Sequence, residues 1–155
     1  MRKAMLFFTV FALAGSLWAA DPFVGTWKLN LAKSRFNPDP PPQGGVIRIE
    51  EQDNGYIKWA ADGVNSDGKT VHQECTAKYD GKDYPLTMTG GPPDLTIAIV
   101  RIDDNTHRVV IKRAGKESQT GLESVSKDGQ TMSATSTGIN AQGQKFSRAR
   151  IFDRQ

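Results

Sequence analysis

Catalysis and metal binding need nucleophiles, bases and ligands in groups, and this sequence offers few. His72 and His107 are its only histidines, and they fall in separate strand-like stretches. Glu74 shares a face with His72, yet two such residues fall short of the three or four ligands a zinc ion takes. Both histidines are therefore expected on the surface, and no metal is expected. Cys75 has no base or positive field beside it and shares its face with Val71, Gln73, Ala77 and Tyr79, so it is expected to be a buried bystander. As the only cysteine it cannot form an internal disulfide. Glu117 and Glu123 lie either side of Leu122 on a Ser/Thr-rich stretch, and Asp103-Asp104 fall in a turn. Carboxylate pairs do glycoside chemistry, but their separation across strands is not written in a sequence. No Gly-x-Ser-x-Gly, phosphate loop or dinucleotide fingerprint is present. No catalytic residue and no cofactor is expected, and the chain reads as a non-enzyme.

One charged pattern remains. Phe146, Arg148, Arg150 and Phe152 have the same parity, so a regular strand presents them on one face. Two cations between two aromatics suit an acidic amphiphile. The alternative is that one arginine packs on an aromatic ring to close the fold while the other is solvated.

The elements that would position these residues follow a leader. Arg2 and Lys3 precede an apolar run from Ala4 to Gly15, and Ala19 and Ala20 stand before Asp21-Pro22, the pattern of a secretory signal peptide. Cleavage is expected after Ala19 or Ala20, giving a signal peptide over 1–20 and one domain over 21–155. The run is too short for a stable membrane span, which takes about 20 apolar residues. No cysteine follows the cleavage region, so the chain does not read as a lipoprotein, and it is expected to be secreted or periplasmic. Loss of residues 1–20 removes two basic residues and no acid, leaving 18 basic against 17 acidic side chains, a net +1. No stripe of Lys and Arg with interleaved aromatics remains, so nucleic acid is not an expected partner.

Turn signals then recur at intervals of 10–14 residues: Asn54-Gly55, Asp67-Gly68, Asp80-Gly81, Gly90-Gly91, Asp104-Asn105, Gly115, Asp128-Gly129 and Gln142-Gly143. Between them lie strand-like stretches: Val24–Asn30, Gly45–Gln52, Tyr56–Ala61, Thr70–Tyr79, Lys82–Leu86, Leu95–Ile102, Thr106–Arg113, Ser118–Ser126, Gln130–Gly138 and Lys145–Phe152. After Asp21 only Leu31 to Phe36 has room for a helical turn or two, and the Pro-rich stretch from Asn37 to Pro42 stops it. Nine or ten sequential strands would leave two edges in an open sheet, and closure removes them. The expected fold is all-β, a single antiparallel up-and-down barrel of 8–10 strands, with a two-sheet sandwich as the runner-up.

The opening Phe23-Val24-Gly25-Thr26-Trp27-Lys28-Leu29 and the closing Arg148-Ala149-Arg150-Ile151-Phe152 resemble the calycin superfamily, which includes lipocalins and fatty-acid-binding proteins. That resemblance implies a lipocalin-like barrel closed by Gly25 and Trp27, with an arginine of the last strand near the Trp27 ring. Arg150 is the preferred partner. Fatty-acid-binding proteins begin with a similar Gly-Thr-Trp-Lys-Leu and hold the lipid carboxylate with an Arg-x-Tyr pair. Here Arg150-Ile151-Phe152 keeps the arginine and replaces the tyrosine, and the Pro-rich stretch stands where those proteins have a helical lid. The whole sequence is also similar to uncharacterised small exported proteins of bacteria.

The expected function is non-catalytic binding of a small apolar or amphipathic, fatty-acid-like molecule outside the cytoplasm. Ile97, Ile99, Val109 and Ile111 would form apolar walls, and Arg148, Arg150 and Phe152 would hold the head group. The alternative is a filled barrel whose loops, Pro38–Gly45 and Gly90–Asp94, bind a protein partner as an inhibitor does.

Overall fold

The computed structural model describes residues 20–140 and 142–155; residues 1–19, on which the signal-peptide expectation rests, lie outside them. Eleven strands follow in chain order: β1 (Gly25–Leu29), β2 (Arg35–Asn37), β3 (Gly44–Glu51), β4 (Ile57–Val64), β5 (Thr70–Ala77), β6 (Tyr84–Met88), β7 (Leu95–Asp103), β8 (Thr106–Arg113), β9 (Lys116–Val125), β10 (Thr131–Ile139) and β11 (Lys145–Arg154). Consecutive strands from β3 to β11 pair antiparallel, and β1 pairs with both β3 and β11. The result is a closed antiparallel barrel of ten strands with β2 as an added segment. Each expected turn joins two consecutive strands of this meander.

The short strand β2 corrects the helical reading of Leu31 to Phe36. Only Leu31–Lys33 forms a single 3-10 turn, capped by the Asn30 side chain accepting from the Lys33 N–H at 3.1 Å. The chain then straightens because β11 is longer than β1. Leu29 pairs with Phe152 at the end of β1, and β2 pairs with Ser147, Arg148 and Ala149 further along β11. Buried backbone groups need partners, and β2 supplies them where β1 has run out. In the sheet β2 has β11 as its only neighbour and does not pair with β3. The wall therefore parts between β2 and β3, where the Pro-rich stretch crosses.

One end of the barrel is sealed. Phe23, Trp27 and Met132 are fully buried there, among Ile49, Ile57, Val125 and Phe152. The Trp27 indole N–H donates to the Phe23 carbonyl at 2.9 Å, so burial leaves no donor unpaired. The guanidinium on its ring is that of Arg154, 4.1 Å from the centroid, and not that of Arg148 or Arg150. Arg154 also donates to three backbone carbonyls, those of Gly129 at 2.5 Å, Val24 at 2.8 Å and Pro22 at 2.6 Å. Its place explains Gly25, whose φ of +142° suits glycine and whose missing Cβ would collide with the Arg154 Nη1. The correction has a simple cause. The last strand runs two residues past Phe152, so the residue that reaches Trp27 is one alternation further on, with Trp27 opposite Arg154 in register.

The wall from β9 to β11 is built on small residues. Gly121 pairs with Ser136 and Gly138 pairs with Phe146, while Ala134 stands between Glu123 and Arg150. A Cβ at Gly121 would run into the Thr135 carbonyl oxygen and the Cα of Ser136, backbone that cannot swing aside. Gly121→Ala is expected to destabilise the barrel by roughly 1–3 kcal/mol, the usual cost of overpacking. Urea unfolding measures it; an unchanged midpoint would show that β9 and β10 can separate without penalty.

Candidate functional site

Inside the barrel, above the sealed end, is a cavity of about 300 Å³ whose two walls differ in chemistry. Strands β6 to β8 give it Leu86, Ile97, Ile99, Val109 and Ile111, all apolar. The three isoleucines and Val109 line it as the sequence suggested, and Ile97, Ile99 and Val109 are buried. Strands β9 to β11 give it Gln119, Glu123, Phe146, Arg148 and Arg150. These long side chains, polar apart from Phe146, stand beside the small residues Ala134 and Gly138.

Arg148 and Arg150 also line a second space, of about 450 Å³, at the parting between β2 and β3. Phe152 borders this space, together with Phe36, Asp39, Pro40 and Pro42. The four same-parity residues of β11 thus all point inward, with the Arg148 guanidinium 4.1 Å from the Phe146 ring and that of Arg150 5.9 Å from the Phe152 ring.

The two arginines differ in their partners. Arg148 pairs with Asp39 of the Pro-rich stretch at 2.5 Å, and the Asn140 side-chain amide donates to the other Asp39 oxygen at 3.4 Å. The hydrogen bond from Arg148 is the main reason the Asp39 carboxyl is held below its ordinary range. Arg150 carries a buried Nε with no hydrogen-bond partner. Burial pulls its guanidine below the ordinary value, against the pull of the Glu123 carboxylate, but a guanidinium stays cationic at neutral pH. Burial likewise pushes the Glu123 carboxyl up, and Arg150 opposes that shift less strongly. Glu123 is half-buried and lines the cavity.

The other chemical residues do not converge on this cavity. His72 stands on the outer face, its Nδ1 2.7 Å from Asp62 and its Nε2 3.7 Å from Glu74, and the hydrogen bond with Asp62 raises its pKa. Among the described residues no group of three or more His, Cys, Asp or Glu is placed to hold a metal ion. His107 is not on the surface: it is 1% exposed, stacked on Phe23 with centroids 3.8 Å apart and against Tyr79 at 4.0 Å. Its place on β8 shares the parity of Val109 and Ile111, and that alternation was the signal for its burial. Cys75 is buried among the core residues, and burial pushes its thiol up to about 12, which leaves it without thiolate at neutral pH. Glu117 is exposed and Glu123 is inside, so they do not form a pair. The inward placement of Glu123 was not legible in the sequence because β9 inverts the usual alternation, with its Leu122 46% exposed.

The loops of the alternative reading are also placed. Asp39, Pro40 and Pro42 border the parting, where Asp39 pairs with Arg148, while Pro38, Pro40 and Pro41 are exposed to solvent. Around Gly90–Asp94, Gly91 and Pro92 are half-buried and Gly90, Pro93 and Asp94 are exposed, so Pro93 is the apolar side chain that this tip presents to solvent.

No family model matches the chain, and no curated protein matches its sequence. Solved structures share its fold. Zebrafish ileal bile acid-binding protein complexed with cholic acid is 15% identical, covers 86% of this chain and 99% of its own, and superposes with a TM-score of 0.53. EF1p2_mFAP2b bound to DFHBI is 12% identical, covers 88% and 97%, and has a TM-score of 0.50. At such identities the likeness is one of fold: a ten-stranded barrel of the lipocalin and fatty-acid-binding type.

Proposed function

We propose that this protein binds a small amphipathic molecule with an acidic head in the barrel, and that it does so outside the cytoplasm. The observation that carries the reading is the division of one cavity into an apolar wall of Ile97, Ile99, Val109 and Ile111, with Arg113 at its edge, and a cationic wall of Arg148 and Arg150. An apolar tail gains by leaving water against the first wall, at about 25 cal/mol per Å². A carboxylate is matched by the second, where charge-assisted hydrogen bonds to a guanidinium are short and strong. Export rests on the leader-like residues Arg2 to Ala20 alone. Among the described residues no helix is long and apolar enough to cross a membrane.

The fold supports the reading in a second way, because both solved relatives were captured with a small molecule. Native mass spectrometry of protein purified without detergent, with displacement of a fluorescent fatty acid, tests the proposal. A retained small molecule, or displacement that saturates at one site, is expected; neither would appear from a filled barrel. Arg150→Met should keep the fold, because it removes a buried cation with an unpartnered donor, and should weaken fatty-acid binding at least tenfold. Equal binding by the variant would move the head group away from Arg150.

A further inference from the structure

Glu123 is a buried carboxyl in a cavity whose proposed ligand is itself an acid, and an ionised Glu123 would repel that ligand. We propose that Glu123, in its protonated form, is the second half of the head-group site and donates a hydrogen bond to the same ligand carboxylate that Arg150 binds. This rests on the ligand-binding reading above and adds to it a residue, a proton and a pH dependence.

The geometry comes from register. Glu123 on β9, Ala134 on β10 and Arg150 on β11 lie opposite one another in a single row across three strands. They face the same cavity, and only the methyl group of Ala134 stands between the two longer side chains. Strands two apart are separated by roughly 9–10 Å, so the two ends flank a gap. Neither an ion pair nor a hydrogen bond joins them, and the Arg150 Nε is left without a partner. The Arg150 guanidinium on one side and a carboxyl on the other fit one inserted carboxylate, which accepts from both. Phe152, two residues beyond Arg150, has no hydroxyl to serve instead.

The surroundings of Glu123 favour its protonated form. The low dielectric of the cavity disfavours the charged form, and one cation opposes that shift. That cation is Arg150; Arg148, on the same strand, is already paired with Asp39. Arg113 of β8 lines the same cavity. His107, opposite Glu123 on β8, is held neutral by burial, its pKa lowered to about 4. Cys75 on β5 is raised to about 12, and Tyr79 is raised further still, so both stay neutral. Glu123 is therefore a group facing this site whose ionisation is shifted above the ordinary carboxyl range. Binding a carboxylate above the pKa of the empty site must take up one proton.

The test is dodecanoate binding to the full mature chain as a function of pH, in the wild type, in Glu123→Gln and in Glu123→Ala, with dodecanol and dodecanamide as uncharged probes. In the wild type, affinity for dodecanoate should fall by roughly tenfold per pH unit once Glu123 ionises in the empty site. Glu123→Gln keeps an N–H donor at that place and cannot ionise, so its affinity should hold near the wild-type low-pH value and stay level with pH. Glu123→Ala should bind at least tenfold more weakly at low pH, also without pH dependence. Dodecanol should bind at the same strength across the range in all three proteins. A wild-type profile as flat as that of Glu123→Gln overturns the assignment of Glu123 while leaving the ligand-binding reading in place. Dodecanamide bound more tightly than dodecanoate at every pH overturns it too, since an ionised Glu123 would then be accepting from the ligand. Failure of every probe to bind at any pH removes the ligand-binding reading, and this assignment with it.

Discussion

Trp27→Ala should destabilise the barrel by about 3–5 kcal/mol, the range for deleting a large buried aromatic whose site cannot collapse. The indole is fully buried at the sealed end, and its neighbours are held from three directions. The chain before β1 folds under it, with the Phe23 carbonyl accepting its N–H. The sheet wraps it, with Ile47 opposite on β3 and Arg154 opposite on β11. The Arg154 guanidinium covers its face and is tied to backbone carbonyls from two separate segments. A cavity opened here cannot be filled by local shifts, because each wall is a hydrogen-bonded strand. The same arrangement sets the order among the arginines. Arg154→Ala loses the cation–π contact and three charge-assisted hydrogen bonds, so a loss on the order of 2–4 kcal/mol is expected. Arg150→Met should be close to neutral. Guanidinium unfolding of the three variants decides: equal losses for Arg154→Ala and Arg150→Met would contradict the division between a closing and a lumenal arginine.

That division shows how far the sequence alone could be read. The turn residues announced the meander because Asn-Gly and Asp-Gly fit tight hairpins whatever the surroundings. Closure followed from strand number and from the cost of bare edges. The parity of Phe146, Arg148, Arg150 and Phe152 was also legible, and all four point inward. What parity could not give was the axial position at which β1 meets β11. Arg154 has the same parity as Arg148 and Arg150, and only the register distinguishes them. The inward placement of Glu123 was hidden for another reason. Hydrophobic alternation marks the inner face only where that face is apolar, and β9 turns Gln119, Gly121 and Glu123 inward and Leu122 out. A polar site inside a barrel erases the pattern by which its strands are recognised. The strand β2 was missed because three residues are too few for any period, and its existence depends on a gap beside β11 that is itself a feature of the register.

His107 ties the sealed end to pH. Sandwiched between Phe23 and Tyr79 with no partner on its Nε2, it is neutral in the fold, its pKa lowered to about 4 chiefly by burial, with Arg101 adding to the shift and Asp21 and Asp103 opposing it. In the unfolded chain it titrates near 6.5. Between these values the unfolded state binds the extra proton, so stability rises with pH through the window. The contribution is fully present above about pH 6.5, is lost as pH falls toward 4, and amounts to about 3 kcal/mol at 1.36 kcal/mol per unit. Two other groups must be separated from it. Glu123, raised in the fold, acts in the opposite sense, its contribution being lost as pH rises from the unfolded carboxyl value toward its folded one. His72, also raised, contributes fully below about 6.5 and loses its effect only above that pH. Comparison with His107→Phe cancels both, since that variant keeps a ring in the stack and titrates nowhere. The stability of the wild type minus that of His107→Phe, from urea unfolding at successive pH values, should climb by about 3 kcal/mol from pH 4 to 6.5 and then level off. A difference that stays constant across that range would mean that His107 is protonated alike in both states, and that the stack between Phe23 and Tyr79 does not exclude the charge.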